Sequence, residues 1–523
     1  MKRQIRLLPV IFVTAGLVIL GCQSMYLQPS EYASGDFLSN GRTASFFEAV
    51  QIDPRAEDSA GPQFAAVGDF NNDGMLDLAS AWNESQPIQI HVQQRTADGE
   101  IVFLTVPLGG TTPISRVSGL EVTDMDGDGF DDVVVLVKDT GRIASCDQSR
   151  QDCDVTCDPS VQDCGGVTQV GGYMENAIDG AIVIFFNPQD IFGLPWTGVL
   201  LSQSELAGTD EGLLPEEGGY SGMAVGDIDG VNGPDIIVAL NSAEGKDTDV
   251  DPPKYTISLF PNPGGATARS EVSWSRFIIH GDSAGISDVE VSDVDDDGDL
   301  DVIATFPPAK NANVRWIANP LSFGDAGNVY GMWPAHAPIG QVATDANILE
   351  VGDVDNDGYD DVLVRSTTGK IIQWFKRPAS PSQTFIRNPW QVFTVAEFAT
   401  REPGAMALGD LTGDGRLDAA IAAQGAVAWF TAYGDDPASL FDQWRETVII
   451  DDSPDASTNG TSLVTDPNQG AQATGATLVN SLIVADIDGD GHNDIVGTLD
   501  RGALSGLSND ALVLFRNTLG DVP

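Results

Sequence analysis

The chain of 523 residues is 42% hydrophobic and only 20% charged, a balance that buries a large core and does not describe a disordered polyanion. Its 77 acidic residues against 26 basic ones leave a formal net charge of -51. That excess argues against a nucleic-acid partner, because phosphate binding needs basic patches and the sequence has none.

The amino terminus, Met1-Lys2-Arg3-Gln4-Ile5-Arg6 followed by an apolar run from Leu7 to Leu20, has the form of a secretory signal and is short for a membrane span. Ile19-Leu20-Gly21-Cys22 resembles the bacterial lipobox, which implies lipidation of Cys22. Residues 1–22 are therefore expected to be leader and lipidation site, and 23–43 a flexible tether. Residues 44–520 would form one folded unit, exported and anchored at a bacterial outer membrane or cell surface. That unit opens on an orphan strand, Phe46 to Ile52, with no local partner.

Seven nine-residue loops follow, with the pattern Asp, any, Asp/Asn/Thr, any, Asp, Gly, any, any, Asp. They lie roughly 55 to 75 residues apart except for one interval of 103. In chain order their oxygen-bearing positions one, three, five and nine are Asp69, Asn71, Asp73 and Asp77 in loop 1, and Asp124, Asp126, Asp128 and Asp132 in loop 2. Loop 3 departs from the pattern: it keeps Asp227, Asp229 and Asp235, but Val231 replaces the fifth ligand and the glycine is displaced by one. Loop 4 has Asp293, Asp295, Asp297 and Asp301; loop 5 has Asp353, Asp355, Asp357 and Asp361. Loop 6 has Asp410, Thr412, Asp414 and Asp418; loop 7 has Asp486, Asp488, Asp490 and Asp494. Together the loops hold 29 of the 77 acidic residues.

Alternating oxygens around a glycine turn are what a hard cation such as calcium requires. The twelfth position carries no glutamate in any loop and the flanks are strand-like, so these are not EF-hands. Up to seven calcium ions are expected, with loops 2, 4, 5 and 7 binding best and loop 3 weak or empty.

Each loop is entered and left by short β-rich runs, such as Ala405 to Gly409 and Asp132 to Val137, and a third strand follows. A fourth strand is predicted in six repeats, including Val329 to Ala335 in the fourth. The seventh has none before the chain stops, and the orphan Phe46 to Ile52 supplies it. The expected fold is all-β: a seven-bladed β-propeller whose N-terminal strand closes the last blade and removes an open sheet edge. The long interval holds an insertion, 139–180, with Cys146, Cys153, Cys157 and Cys164 in a small internal duplication. Their spacing lacks the paired pattern of a zinc site, so two disulfides of undetermined connectivity are expected.

The repeats resemble the FG-GAP/VCBS propeller family, which includes the calcium-binding blades of integrin alpha subunits. The Phe-Gly and Gly-Ala-Pro signatures are missing from the segments flanking the loops, which places the chain nearer the bacterial VCBS-like branch. The resemblance implies a propeller with calcium in the loop between the first two strands of a blade. It does not assign a function.

Catalysis is not expected, since only His91, His280, His336 and His492 are available for proton transfer. Gly281-Asp282-Ser283-Ala284-Gly285 matches a nucleophile elbow, but a strand follows where a helix is required. The leading expectation is a non-catalytic binding, adhesion or scaffold module for an envelope protein or polysaccharide. A carbohydrate-active lyase or hydrolase is the alternative, and a purely structural envelope component a third. Antiparallel strands put the largest insertions, 139–180, 203–220, 241–254 and 452–476, on the face opposite the aspartate loops, which makes that face the expected partner site.

Overall fold

A computed structural model describes residues 47–54, 61–137, 169–170, 173–174, 181–201, 220–241, 255–432, 444–451, 478–500 and 511–518, apart from short breaks in loops. Cys22, the expected leader and tether, Ser283, and Cys146, Cys153, Cys157 and Cys164 lie outside the described residues. So does most of the sequence in the four insertions, although Gln169–Val170 and Tyr173–Met174 pair as a small hairpin.

Seven four-stranded antiparallel sheets make a seven-bladed propeller, as expected. Blade 1 comprises Pro62–Gly68, Asp77–Trp82, Gln89–Arg95 and Ile101–Pro107 from the axis outward. Blades 2 to 6 repeat this order. Blade 7 comprises Leu478–Ala485, Asp494–Asp500, Ala511–Asn517 and, outermost, the N-terminal strand Phe47–Pro54. Its register runs from Phe47 opposite Asn517 to Pro54 opposite Ala511. The backbone N–H of Asn517 donates to Asp494 of loop 7 at 2.7 Å, so the chain enters the propeller on the aspartate-loop face.

The second strand of each blade lies between two neighbouring blades and is buried on both sides. In Asp132–Val137 every residue is accordingly buried, and after Asp132 the strand is a continuous apolar run, not an alternating one. Among the described residues the core divides into seven apolar clusters, one at each blade–blade interface. The last joins Ile52, Leu512 and Leu514 of blade 7 to Ala65, Leu78 and Trp82 of blade 1, which closes the ring.

Blade 4 departs from expectation: its outer strand is His336–Gly340, not Val329 to Ala335. The apolar pattern of the earlier stretch has another cause. Val329 and Trp333 are buried in the interface with blade 3, and the Trp333 N–H donates to the carbonyl of Ile279 at 2.8 Å. They cap the neighbouring blade.

A repeated side-chain amide ties blade to blade. Asn187 at the end of the third strand of blade 2 donates to the carbonyl of Phe70 in loop 1 at 2.8 Å and to that of Asp131 in its own loop at 3.0 Å. Asn262, Asn319 and Asn517 repeat this bridge, and Gln93 reaches from blade 1 to Ile487 of blade 7 at 2.8 Å. The loop residue whose carbonyl is held, position two, is apolar and buried in the same interface, as with Phe70, Met125 and Ile487. Each bridge saturates carbonyls that burial would otherwise strand.

Candidate metal centres

The loops are folded by their own carboxylates. In loop 4 the backbone N–H groups of Asp297 and Gly298 donate to the two oxygens of Asp293 at 3.0 and 2.9 Å. The ninth residue acts as a clamp: Asp301 accepts the N–H of Val294 at 3.1 Å and that of Asn319, just past the third strand, at 2.7 Å. The same clamp recurs at Asp77, Asp132, Asp235 and Asp494. Position nine thus fixes loop to sheet, a role the ligand pattern alone did not suggest.

The backbone turns left-handed twice in six of the loops and three times in loop 3, at Gly230, Asn232 and Gly233. The expected glycine at position six does so, with φ 92 at Gly298, and so does position four, with φ 59 at Asp296. Position four is Asn72, Gly127, Gly230, Asp296, Asn356, Gly413 or Gly489, the residue types that tolerate this region.

Five loops bring three carboxylates within 4.8 Å of one another: Asp124, Asp126 and Asp132; Asp227, Asp229 and Asp235; Asp293, Asp295 and Asp297; Asp353, Asp355 and Asp357; Asp486, Asp488 and Asp494. Loop 3 is among them despite Val231, which is 51% exposed. In that loop the Tyr330 hydroxyl from blade 4 donates to Asp229 at 2.7 Å. In loop 1 the Asn71 amide donates to Asp73 at 3.0 Å, and in loop 6 Arg416 pairs with Asp414 while Asp410 holds the turn.

Several oxygens meet no donor. Both carboxylate oxygens of Asp295, and one each of Asp126, Asp355 and Asp357, are buried without a hydrogen-bond partner. Burial pushes Asp295 up to about 7 and Asp301 up to about 8, and neighbouring carboxylates add to the rise. Converging hard oxygens, desolvated and short of positive charge, suit a hard cation, so these residues fit a bound divalent metal.

A second acidic feature, which the sequence reading passed over, lines the axis. Glu121, Glu290 and Glu350 stand three residues before the loop aspartates of blades 2, 4 and 5. Glu121 and Glu290 sense each other although blade 3 lies between them, which only the central channel permits. Burial raises Glu121 to about 7 and Glu350 to about 8, and Glu290 well above the carboxylate range; the Asp288 carboxylate adds to all three, and repulsion among the glutamates adds to Glu290 and Glu350. A carboxyl raised on folding contributes stability that is complete below its unfolded value near 4.5 and is lost as pH climbs through 7 to 8. Glu290→Gln should therefore raise the melting temperature by a few degrees at pH 8 and leave it nearly unchanged at pH 4. Equal shifts at both pH values would show that folding does not raise the Glu290 carboxyl.

His91 lies 2.7 Å from Ser80 Oγ and 2.9 Å from Thr105 Oγ1, an arrangement with the outline of a catalytic group. Ser80 and His91 are both fully buried, and the Trp82 indole N–H also donates to Ser80. The network satisfies polar groups inside blade 1. His280 is buried at an interface, and His492 stands in loop 7.

Residues 69–135, which span loops 1 and 2, match the FG-GAP-like repeat family. A solved structure of an Agrocybe aegerita lectin, described as showing specific recognition of non-reducing terminal N-acetylglucosamine, is similar over 74% of this chain and 80% of its own, at 13% identity and a TM-score of 0.42. A structure of BBS1N in complex with ARL6DN is similar over 89% of this chain and 96% of its own, at 10% identity and a TM-score of 0.43. No curated protein matches the chain. Among the described residues no helix is long and apolar enough to cross a membrane.

Proposed function

We propose that this propeller, with its FG-GAP-like repeat, is a calcium-binding, lipid-anchored envelope protein that serves as a non-catalytic binding or scaffold module for a protein or polysaccharide. The observation that carries the metal part is the set of buried carboxylate oxygens without donors in loops 2, 4 and 5. The residues at positions one, three and five would hold the ion, with position nine at their side. Bound calcium supplies positive charge that cancels carboxylate repulsion and stiffens the loops.

The place where the chain enters the ring supports an orientation. Phe47 sits at the aspartate-loop end of blade 7, so a tether from an anchor at Cys22 would join the ring at that face and favour it as the membrane-proximal side. The strand ends that carry the insertions, Val137 with Ala181 and Asn241 with Tyr255, lie at the opposite face and point outward. Loops on a rigid scaffold are where binding function concentrates.

The purified chain, bound to beads with calcium present, should retain an envelope protein or polysaccharide and release it chemically unaltered. Deleting Cys146 to Cys164 should abolish retention while the melting transition persists. Undiminished retention by the deletion variant would remove the insertion face from the reading, and cleaved product in the eluate would make the chain an enzyme.

A further inference from the structure

We propose that loop 4 takes up a divalent cation first, and that Arg269, Lys376 and Arg516 are tethered counter-cations that metal must displace from loops 2, 5 and 7. The inference rests on the calcium reading above and ranks sites which the ligand pattern treats as alike.

In loop 5 the Lys376 ammonium bridges the third and fifth ligand residues, pairing with Asp355 and lying 2.6 Å from Asp357. In loop 2 Arg269, reaching over from blade 3, pairs with Asp126 and lies 3.2 Å from Asp128. In loop 7 Arg516 pairs with Asp488 and lies 3.9 Å from Asp490. These positive groups stand between positions three and five, where an ion would sit. One oxygen each of Asp126, Asp355 and Asp357 still lacks a donor, so the side chain neutralises the loop only in part.

Loop 4 has no such partner. It carries six aspartates, Asp293, Asp295, Asp296, Asp297, Asp299 and Asp301. Asp295 is 6% exposed, neither of its oxygens meets a donor, and it lies within 4.8 Å of the Asp293 and Asp297 ligand atoms. Arg387 stacks over the Trp316 ring at 5.3 Å and makes no hydrogen bond to Asp295. Arg387 offsets the charge of Asp295 only through space, so the deficit left among these aspartates calls for a cation from outside the chain. Loops 2, 5 and 7 must instead break charge-assisted bonds before metal enters, and a tethered cation competes at high local concentration.

Trp316 adjoins Asp301 of loop 4 and Trp374 adjoins Asp361 of loop 5, so each indole can sensitise terbium bound in its own loop. The purified full chain, stripped by chelator and titrated with terbium, should show successive luminescence phases that calcium reverses. The first should disappear in Asp295→Asn and in Trp316→Phe. Lys376→Met should bring the Trp374-dependent phase to about tenfold lower terbium, the size of one lost charge-assisted bond, and leave the first in place. A first phase that survives Asp295→Asn, or a titration unmoved by Lys376→Met, overturns the ranking. A single uniform phase reversed by calcium overturns the ranking while keeping the calcium reading; absence of any calcium-reversible phase overturns both.

Discussion

Stripping divalent cations from the purified chain should lower its melting temperature by roughly 10 °C or more, with recovery on adding calcium and not on adding sodium. A ligand that binds only the folded state at a hundred times its Kd adds about 2.7 kcal/mol per site. A few filled sites therefore rival the whole stability of an ordinary domain. Removal acts twice, since it withdraws this linkage and also leaves buried carboxylates such as Asp295 with no hydrogen-bond donor on either oxygen. The loss should be smaller where the chain brings its own cation, as Lys376 does in loop 5. A thermal melt with chelator, read against one with calcium, checks the effect.

Deleting residues 47–54 should be the most damaging change that leaves every loop intact. Phe47 and Ile52 are 8% and 7% exposed, and the Phe47 ring meets Trp429 of blade 6 edge-on at 5.2 Å. The strand therefore joins two interfaces as well as completing blade 7. Burial of the two side chains is worth about 2 to 3 kcal/mol each, and the lost ladder bonds add about 1 kcal/mol apiece. The deletion also bares the edge of Ala511–Asn517, so the variant should associate as well as melt earlier, which light scattering during a thermal ramp would register. A truncated chain that stays monomeric and melts with the intact one would mean that the ring closes without its first strand.

Most of the architecture was legible because the loop aspartates mark each blade at the same point. Once Asp69, Asp124 and their successors set the phase, the strands on either side follow, and the orphan segment has one place to go. The pattern failed where side chains are apolar for a reason other than pairing. Val329 and Trp333 pack against blade 3, and nothing in their spacing distinguishes that from a strand.

The site was legible as a set of ligand residues and not as a set of charges. Arg269 and Asp126 are 143 residues apart, and only the ring brings them together. Other signals were local and were passed over. Asparagine closes the third strands at Asn187, Asn262, Asn319 and Asn517, a recurrence that marks the interblade bridge. The triplets Leu120-Glu121-Val122, Val289-Glu290-Val291 and Leu349-Glu350-Val351 put glutamate at one position of three innermost strands. Each looks like ordinary alternation until the strands are set around an axis.

Equilibrium dialysis of the chelator-stripped chain against radioactive calcium, counted per mole of protein, reads the number of filled loops without relying on stability. The account predicts at least four bound ions and no more than seven, with the count falling by one in Asp295→Asn. A count of zero at millimolar calcium, in protein that still melts cooperatively, would contradict it.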